Sequence, residues 1–308
     1  MPPRTKKVKS VKKSVIKIST TDLAAIANMD HYNNFAKVVC KVWKQLDKAS
    51  FEAYRARNAI SGNFCALDSY FDKIKHLEDK SGTRIGLLKR VSNVNKNTEK
   101  SSHTLVENQQ QIANDIEQQL TNLTTHDRDL LNSLIASATN TRHGVYNENN
   151  GVKIFENETG KKVIASQKMS LLPVFEDDKY EWKIVGKFDG LTEANELVEI
   201  KNRQKRLFNT VRDYEMCQLQ VYMKMHSCQE GYLVECYKNQ DNNMEFNILD
   251  VQYNSEYFDT VLQNWISRFI NFMYELVFGE HQHLTEEVKL CLISGDNKKQ
   301  CYPIYKLF

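Results

Sequence analysis

The chain has 308 residues, 41% of them hydrophobic, enough for a sizeable core, and its 4 Pro and 11 Gly exclude a low-complexity or fibrous protein. No apolar run approaches the roughly 18 residues that a membrane span needs, so a soluble chain without a membrane partner is expected. The net charge of +3 divides unevenly: the first 17 residues hold Arg4, Lys6, Lys7, Lys9, Lys12, Lys13 and Lys17 and no acid, leaving 35 basic against 39 acidic residues in the body. A generally basic nucleic-acid binder is thereby excluded, and any contact with nucleic acid would have to come from a local groove or from the tail.

In chain order, residues 1–18 read as a disordered basic tail, too lysine-rich to bury apolar surface. It suits a nuclear-localisation or DNA-tethering segment, or a plain solvated terminus; a mitochondrial presequence is a third reading, without a clear arginine-rich amphipathic pattern. Residues 19–125 read as a helical N-terminal region. Ser19-Thr20-Thr21-Asp22 offers N-caps before Leu23, Ile26 and Met29, and Phe35, Val38, Val39, Val42, Trp43 and Leu46 recur at helical spacing. Phe51, Tyr54, Ile60, Phe64, Leu67 and Phe71 continue the pattern and read as helix packing rather than DNA stacking. A helix near Leu105–Leu123 follows a polar loop near 92–102, and the region ends at a soft boundary.

Residues 126–308 read as the core. His126–Asn157 should be helical, with Gly144 permitting a close approach or break and Thr159-Gly160 ending the helix. Strands are expected over Lys162–Pro173, Trp182–Gly190 and Glu196–Asn202, then a helix over Leu207–His226, strands Gly231–Tyr237 and Glu245–Tyr253, and a long helix Ser255–Phe278. This order predicts an α/β fold around a mixed sheet. The seven cysteines (Cys40, Cys65, Cys217, Cys228, Cys236, Cys291, Cys301) are odd in number. Without a CxxC or a secretory signal peptide, they read as reduced thiols of an intracellular protein.

The chemistry concentrates in Gly186–Met223. Alternation puts Leu197, Glu199 and Lys201 on one strand face and Val198 and Ile200 on the other, and a hairpin across Leu191–Glu196 would bring Asp189 close to Glu199. Two carboxylates and a lysine at one sheet edge make a site for a hard divalent cation with an activated water beside it. Gln218 and Tyr222, four apart on one helix face, can reach the same place; polar packing is their bland reading.

Asp189, nine intervening residues and then Glu199-Ile200-Lys201 resemble the D…ExK signature of the PD-(D/E)XK nucleases. Gln218 and Tyr222 resemble the QxxxY motif of their RecB-like and phage lambda exonuclease-like branch. Gly144-Val145-Tyr146-Asn147-Glu148, followed by Phe155-Glu156-Asn157-Glu158-Thr159-Gly160, is similar to the G-x-x-x-E…[FY]-E-x-x-[ST]-G stretch of lambda exonuclease and the YqaJ-type viral recombinases. The resemblance covers roughly residues 140 to 275. Phe188 stands where the family name has proline, and residues 19 to 80 contain no match to the N-terminal phosphate-binding motif of lambda exonuclease.

The resemblance implies a restriction-endonuclease-like mixed-sheet core flanked by helices, with a mostly helical N-terminal part. It implies a Mg2+-dependent deoxyribonuclease, with Mn2+ able to substitute, acting from DNA ends in recombination, repair or viral genome processing. Asp189, Glu199 and the Ile200 carbonyl would hold the metal and Glu148 would add a further acid, so that three carboxylates can hold two cations. Lys201 would sit beside the attacking water, and Gln218 and Tyr222 would hydrogen-bond its surroundings or a phosphate. Some relatives carry an iron–sulfur cluster, but the paired cysteine spacing is missing here and none is expected.

Arg203, Lys205 and Arg206 read either as phosphate contacts or as a solvated loop, and Arg142 either as an anchor for a terminal phosphate or as a support of the motif helix. His143, His226, His281 and His283 form no metal set. The expected partners are DNA, a single-strand annealing or replication protein, and further copies of the chain; a ring-shaped trimer is one form the resemblance allows. The location is intracellular, in the nucleus or at a site of viral DNA replication, with the mitochondrion as alternative. A structure-specific or nicking endonuclease and a non-catalytic DNA-binding recombination scaffold are the rival functions.

Overall fold

A computed structural model describes residues 13–30, 35–57, 70–82, 84, 86, 102–119, 123–241 and 243–279. It is a mixed α/β protein built on two sheets. The first has three strands in the order β1 (Ser14–Ser19), β4 (Tyr180–Lys187), β3 (Met169–Glu176). The second has five, in the order β2 (Val163–Ala165), β5 (Gly190–Thr192), β6 (Leu197–Arg203), β7 (Glu230–Lys238), β8 (Met244–Gln252). β6 and β7 run parallel, joined by a crossover helix, while β5–β6 and β7–β8 are antiparallel, so the central sheet is mixed as expected.

The end of the stretch predicted as a tail is a strand. Ser14–Ser19 form β1 in parallel register with β4, with Ile16 and Ile18 buried and Val15 and Lys17 facing out. Alternation of two isoleucines with a lysine is a strand signal that the lysine count masks. Ser19 then caps α1 (Thr20–Ile26), its hydroxyl accepting the Asp22 N–H at 3.1 Å.

The helical N-terminal region falls into two parts. α1, α2 (Phe35–Leu46) and α3 (Lys48–Arg57) share one core with Trp182 and Ile184 of β4. The same core takes in Cys217 and Val221 of α7 (Asp213–His226) and the apolar face of α8 (Gln263–Phe278), which follows a π-helical turn at Tyr257–Leu262. These N-terminal helices thus share one core with β4, α7 and α8. α4 (Tyr70–Ser81) and α5 (Ser102–Glu117) instead pack Leu77, Ile112, Ala113 and Ile116 against Leu131, Leu134 and Ile135 of the long α6 (Thr125–Thr159). Residues 1–12, the loop expected near 92–102 except Ser102, and Cys65, Cys291, Cys301, His281 and His283 lie outside the described residues.

α6 begins with a capping box between Thr124 and Asp127 and ends at Gly160, whose φ of 71° is the left-handed conformation that glycine adopts freely. Gly144 does not break this helix; Asn202 Nδ2 of β6 donates to its carbonyl at 3.1 Å, but a Cβ there would meet open space, so the contact does not require glycine. The close approach falls at Gly151, where a Cβ would collide with Ile200 Cγ2 of β6. Opposite effects follow: Gly144→Ala should stabilise by about 0.5–1 kcal/mol through helix propensity, and Gly151→Ala should destabilise by about 1–3 kcal/mol through overpacking. Urea midpoints of the two variants check this; equal signs would refute the assignment.

Candidate active site

Strand parity places the side chains. β6 sends Leu197 to the face covered by Leu219, Tyr222 and Met223 of α7, and Val198 and Ile200 to the face covered by Phe155 of α6. Glu199, Lys201 and Arg203 follow Leu197 by period two. β4 belongs to the three-stranded sheet and β5 to the five-stranded one, so Phe188 and Asp189 form the crossing between them. Phe188 is buried, and Asp189 turns onto β6, where its Oδ2 accepts the Ile200 N–H at 2.8 Å.

The crossing that precedes it lies alongside. Lys162–Pro173 is not one strand: the chain leaves the large sheet at Ala165 and joins the small one at Met169, turning at Gln167 with φ 55°. The Gln167 N–H donates to Phe188 O at 3.0 Å, tying the two crossings together. Its side-chain Nε2 donates to Glu148 Oε2 at 2.8 Å and to Asp189 Oδ1 at 3.3 Å. Glu148, on α6, is thereby brought to Asp189. On the other side, Lys201 Nζ donates to Glu199 Oε1 at 2.8 Å and to Gln218 Oε1 at 3.1 Å.

Gln218 Nε2 donates in turn to the Tyr222 hydroxyl at 3.3 Å. That hydroxyl donates to Lys187 O at 3.0 Å and accepts from Lys187 N–H at 3.2 Å and Thr20 Oγ1 at 3.0 Å. Six of the residues singled out from sequence, Glu148, Asp189, Glu199, Lys201, Gln218 and Tyr222, therefore meet at one place, with the Ile200 backbone among them. Gln167 and Thr20 join them without a sequence signal of their own. The polar trio Ser166-Gln167-Lys168, interrupting an otherwise strand-like run, is the one local hint.

Electrostatics set the acids apart from ordinary carboxyls. Burial pushes the Glu199 carboxyl up to about 7 against the pull of Lys201. Burial also raises Asp189, and it raises Glu148 with help from the Asp189 charge. Lys201 is drawn down by burial, yet the charges of Glu199 and Asp189 hold it above its ordinary value. Glu199 Oε2 is buried and has no hydrogen-bond partner, unlike most buried polar atoms. Among the described residues no three Asp, Glu, His or Cys side chains stand close enough, as placed, to hold an ion by themselves.

A pH dependence follows with a definite sign. Folded Glu199 keeps its proton up to about pH 7, whereas its ordinary value is 4.5, so between these the folded state binds more protons. Stability in EDTA should therefore fall as pH rises through this window, by roughly 3 kcal/mol for this group, with Asp189 and Glu148 acting in the same direction. Urea midpoints at pH 5 and pH 8 should differ more in the wild type than in Glu199→Gln; equal differences would refute the shift.

The basic residues at and after the end of β6 separate. Arg203 is nine-tenths buried, its Nη1 2.7 Å from Glu215 Oε1 and its Nε 2.7 Å from Glu235 Oε1. Its reading as a phosphate contact is corrected: β6 runs one residue further than expected, and parity turns Arg203 inward. Lys205 and Arg206 are exposed in the loop beyond. Arg142 lies on α6, but its side chain is outside the described residues. His143 pairs with Asn147 and His226 with Ser170, so the two have separate partners.

A mixed α/β core with acids and a lysine on and beside its central strand β6, backed by a helix carrying Gln218 and Tyr222, is the class that fold and side chains define. No protein-family model matches the chain, and no curated protein matches it. In backbone it is similar to solved proteins that include SSO0001, with 14% identity and a TM-score of 0.37 over 57% of this chain and 78% of that one. Another is an alkaline exonuclease of Laribacter hongkongensis, LHK-Exo, with 14% identity and a TM-score of 0.36 over 51% and 84%. A third is a phage-related exonuclease of Haemophilus somnus 129PT, with 13% identity and a TM-score of 0.31 over 44% and 73%. Likeness at this level does not reach the chemistry, which rests on the residues themselves.

Proposed function

We propose that the chain is a divalent-cation-dependent DNA nuclease that hydrolyses phosphodiester bonds from DNA ends. One observation carries the reading: the Lys201 ammonium, 2.8 Å from Glu199 Oε1 and 3.1 Å from Gln218 Oε1, stands on the same strand, β6, as the Ile200 N–H that donates to Asp189 Oδ2 at 2.8 Å. A scaffold has no use for that trio.

The residues fit a hard cation. All the donors are oxygens, and the buried Glu199 Oε2, which makes no hydrogen bond, is the kind of acceptor that a hard cation would satisfy. Glu148, Asp189, Glu199 and the Ile200 carbonyl would hold Mg2+, with Mn2+ as substitute. When bound, such an ion neutralises phosphate charge and lowers the pKa of water.

The protein's own groups do the rest. Lys201 is placed to stabilise negative charge on the attacking oxygen and on the phosphorane. Gln218 orients Lys201 by accepting one of its protons, and Tyr222, held by Thr20 and the Lys187 backbone, orients Gln218. Lys205 and Arg206, exposed beyond the end of β6, would meet backbone phosphates, and Arg142 is a further candidate for that role. The proposed setting is recombination, repair or viral genome processing, in the nucleus or at a site of viral DNA replication.

The test is digestion of end-labelled linear and covalently closed circular DNA with Mg2+, comparing the wild type with Lys201→Ala. Shortening of linear DNA, survival of circles and an inert variant are expected. Opened circles would make the chain an endonuclease. Binding without cleavage in either Mg2+ or Mn2+ would leave a scaffold.

A further inference from the structure

Gln167 belongs to none of the motifs above, yet it stands between two of the acids. A primary amide has two N–H donors on one nitrogen, and here that nitrogen reaches Glu148 Oε2 at 2.8 Å and Asp189 Oδ1 at 3.3 Å. Two carboxylates brought this close repel each other, and a neutral donor between them offsets the repulsion without contributing a charge.

The backbone is arranged to put the amide there. Gln167 has φ 55°, a left-handed conformation that a residue with a side chain adopts at a cost. It is held so by its own N–H on Phe188 O at 3.0 Å, one residue before Asp189. The strained residue, the crossing from β2 to β3 and the crossing from β4 to β5 therefore lock together at the acids. Glu199 differs: its Oε1 has Lys201, and its Oε2 is buried and has no partner.

Resting on the nuclease reading, we propose that Gln167 is an internal stand-in for the cation. Its amide holds Glu148 and Asp189 together in the cation-free protein and yields to the ion that binds them. It is a positioning residue that competes with the metal. The sign follows from linkage: removing a donor that stabilises only the cation-free state raises the apparent affinity for the ion.

The experiment is a titration of the full chain with Mn2+ alone at pH 8, without DNA, reading free Mn2+ by electron paramagnetic resonance. The proteins are the wild type, Gln167→Met, Gln167→Gly and Asp189→Ala. Methionine keeps the length of the side chain and removes both donors. Glycine removes the side chain and relieves the backbone, so it carries the test if the methionine variant does not fold.

Both variants should bind Mn2+ about tenfold tighter, the worth of one hydrogen bond to a charged group. Gln167→Met, which keeps the backbone strain, should melt earlier than the wild type in EDTA, and the gap should narrow in saturating Mn2+. Unchanged or weaker Mn2+ binding in the variants, with a wild-type site that Asp189→Ala removes, overturns the role of Gln167 alone. Absence of an Asp189-dependent Mn2+ site in the wild type overturns the nuclease reading and this proposal with it.

Discussion

Lys201→Ala is expected to lower the rate of DNA cleavage by about 10²–10³-fold, the loss usual when a preorganised group that stabilises developing charge is removed. The ammonium also serves the fold, because it is the counter-ion of Glu199, a side chain only 4% exposed. Removing it leaves a buried carboxylate, which escapes its unpaired charge by taking up a proton. The variant should therefore be less stable than the wild type at pH 8 and closer to it at pH 6. Cleavage must be assayed where circular dichroism shows both proteins folded. Lys201→Arg should not restore activity, since a planar guanidinium cannot occupy the place of a compact ammonium lodged between Glu199 and Gln218. Cleavage within a few-fold of the wild type in folded Lys201→Ala would remove Lys201 from the chemistry.

The largest expected loss of stability lies beside the site. Arg203 Nη2 is 2.5 Å from Glu235 Oε1, and Glu215 and Glu235 are both fully buried. Glu235 also accepts the Asn209 N–H at 2.8 Å and the Phe208 N–H at 3.1 Å, while Glu215 Oε2 accepts the Arg212 N–H at 3.2 Å. Arg203 and Arg212 each lie 4.3 Å from the centre of the Phe208 ring. The cluster thus pins the loop that leads from β6 into α7, and with it the register of Gln218 against Lys201. Such an ion cluster can add little to stability when whole, yet removal of one partner leaves charge buried and uncompensated.

Arg203→Ala should cost about 3–5 kcal/mol, read from urea midpoints. Arg203→Lys should recover little of it, because one ammonium cannot reproduce the guanidinium's contacts to both carboxylates. The salt dependence of DNA binding should be unchanged in the folded fraction. A stable Arg203→Ala with weakened DNA binding would restore the phosphate-contact reading that residue type and position first invite.

Much of the centre was legible from local pattern. Period two set Glu199 and Lys201 on one face, the spacing of four put Gln218 and Tyr222 on another element's single face, and Thr159-Gly160 marked the end of α6. Each of these depends on neighbours a few residues away, where backbone geometry alone decides direction. The same local logic could not tell Gly144, where a side chain would fit, from Gly151, where Ile200 leaves no room, because a helical glycine looks alike in both settings. It also overlooked β1, whose short isoleucine alternation is hidden among lysines.

Tertiary structure decided the rest. Thr20 meets Tyr222 at a sequence distance of 202, and Arg203 meets Glu235 at 32. Gln167 meets Glu148 and Asp189 because two sheet crossings coincide, and no spacing in the chain encodes a coincidence of crossings. By itself the sequence determined which residue types stand together along each strand and helix, since covalent geometry repeats every two or 3.6 residues. Which side chain finishes beside which acid, amide or ammonium was left to the packing of the two sheets, since a polar group's role is set by the partner brought to it when both leave water.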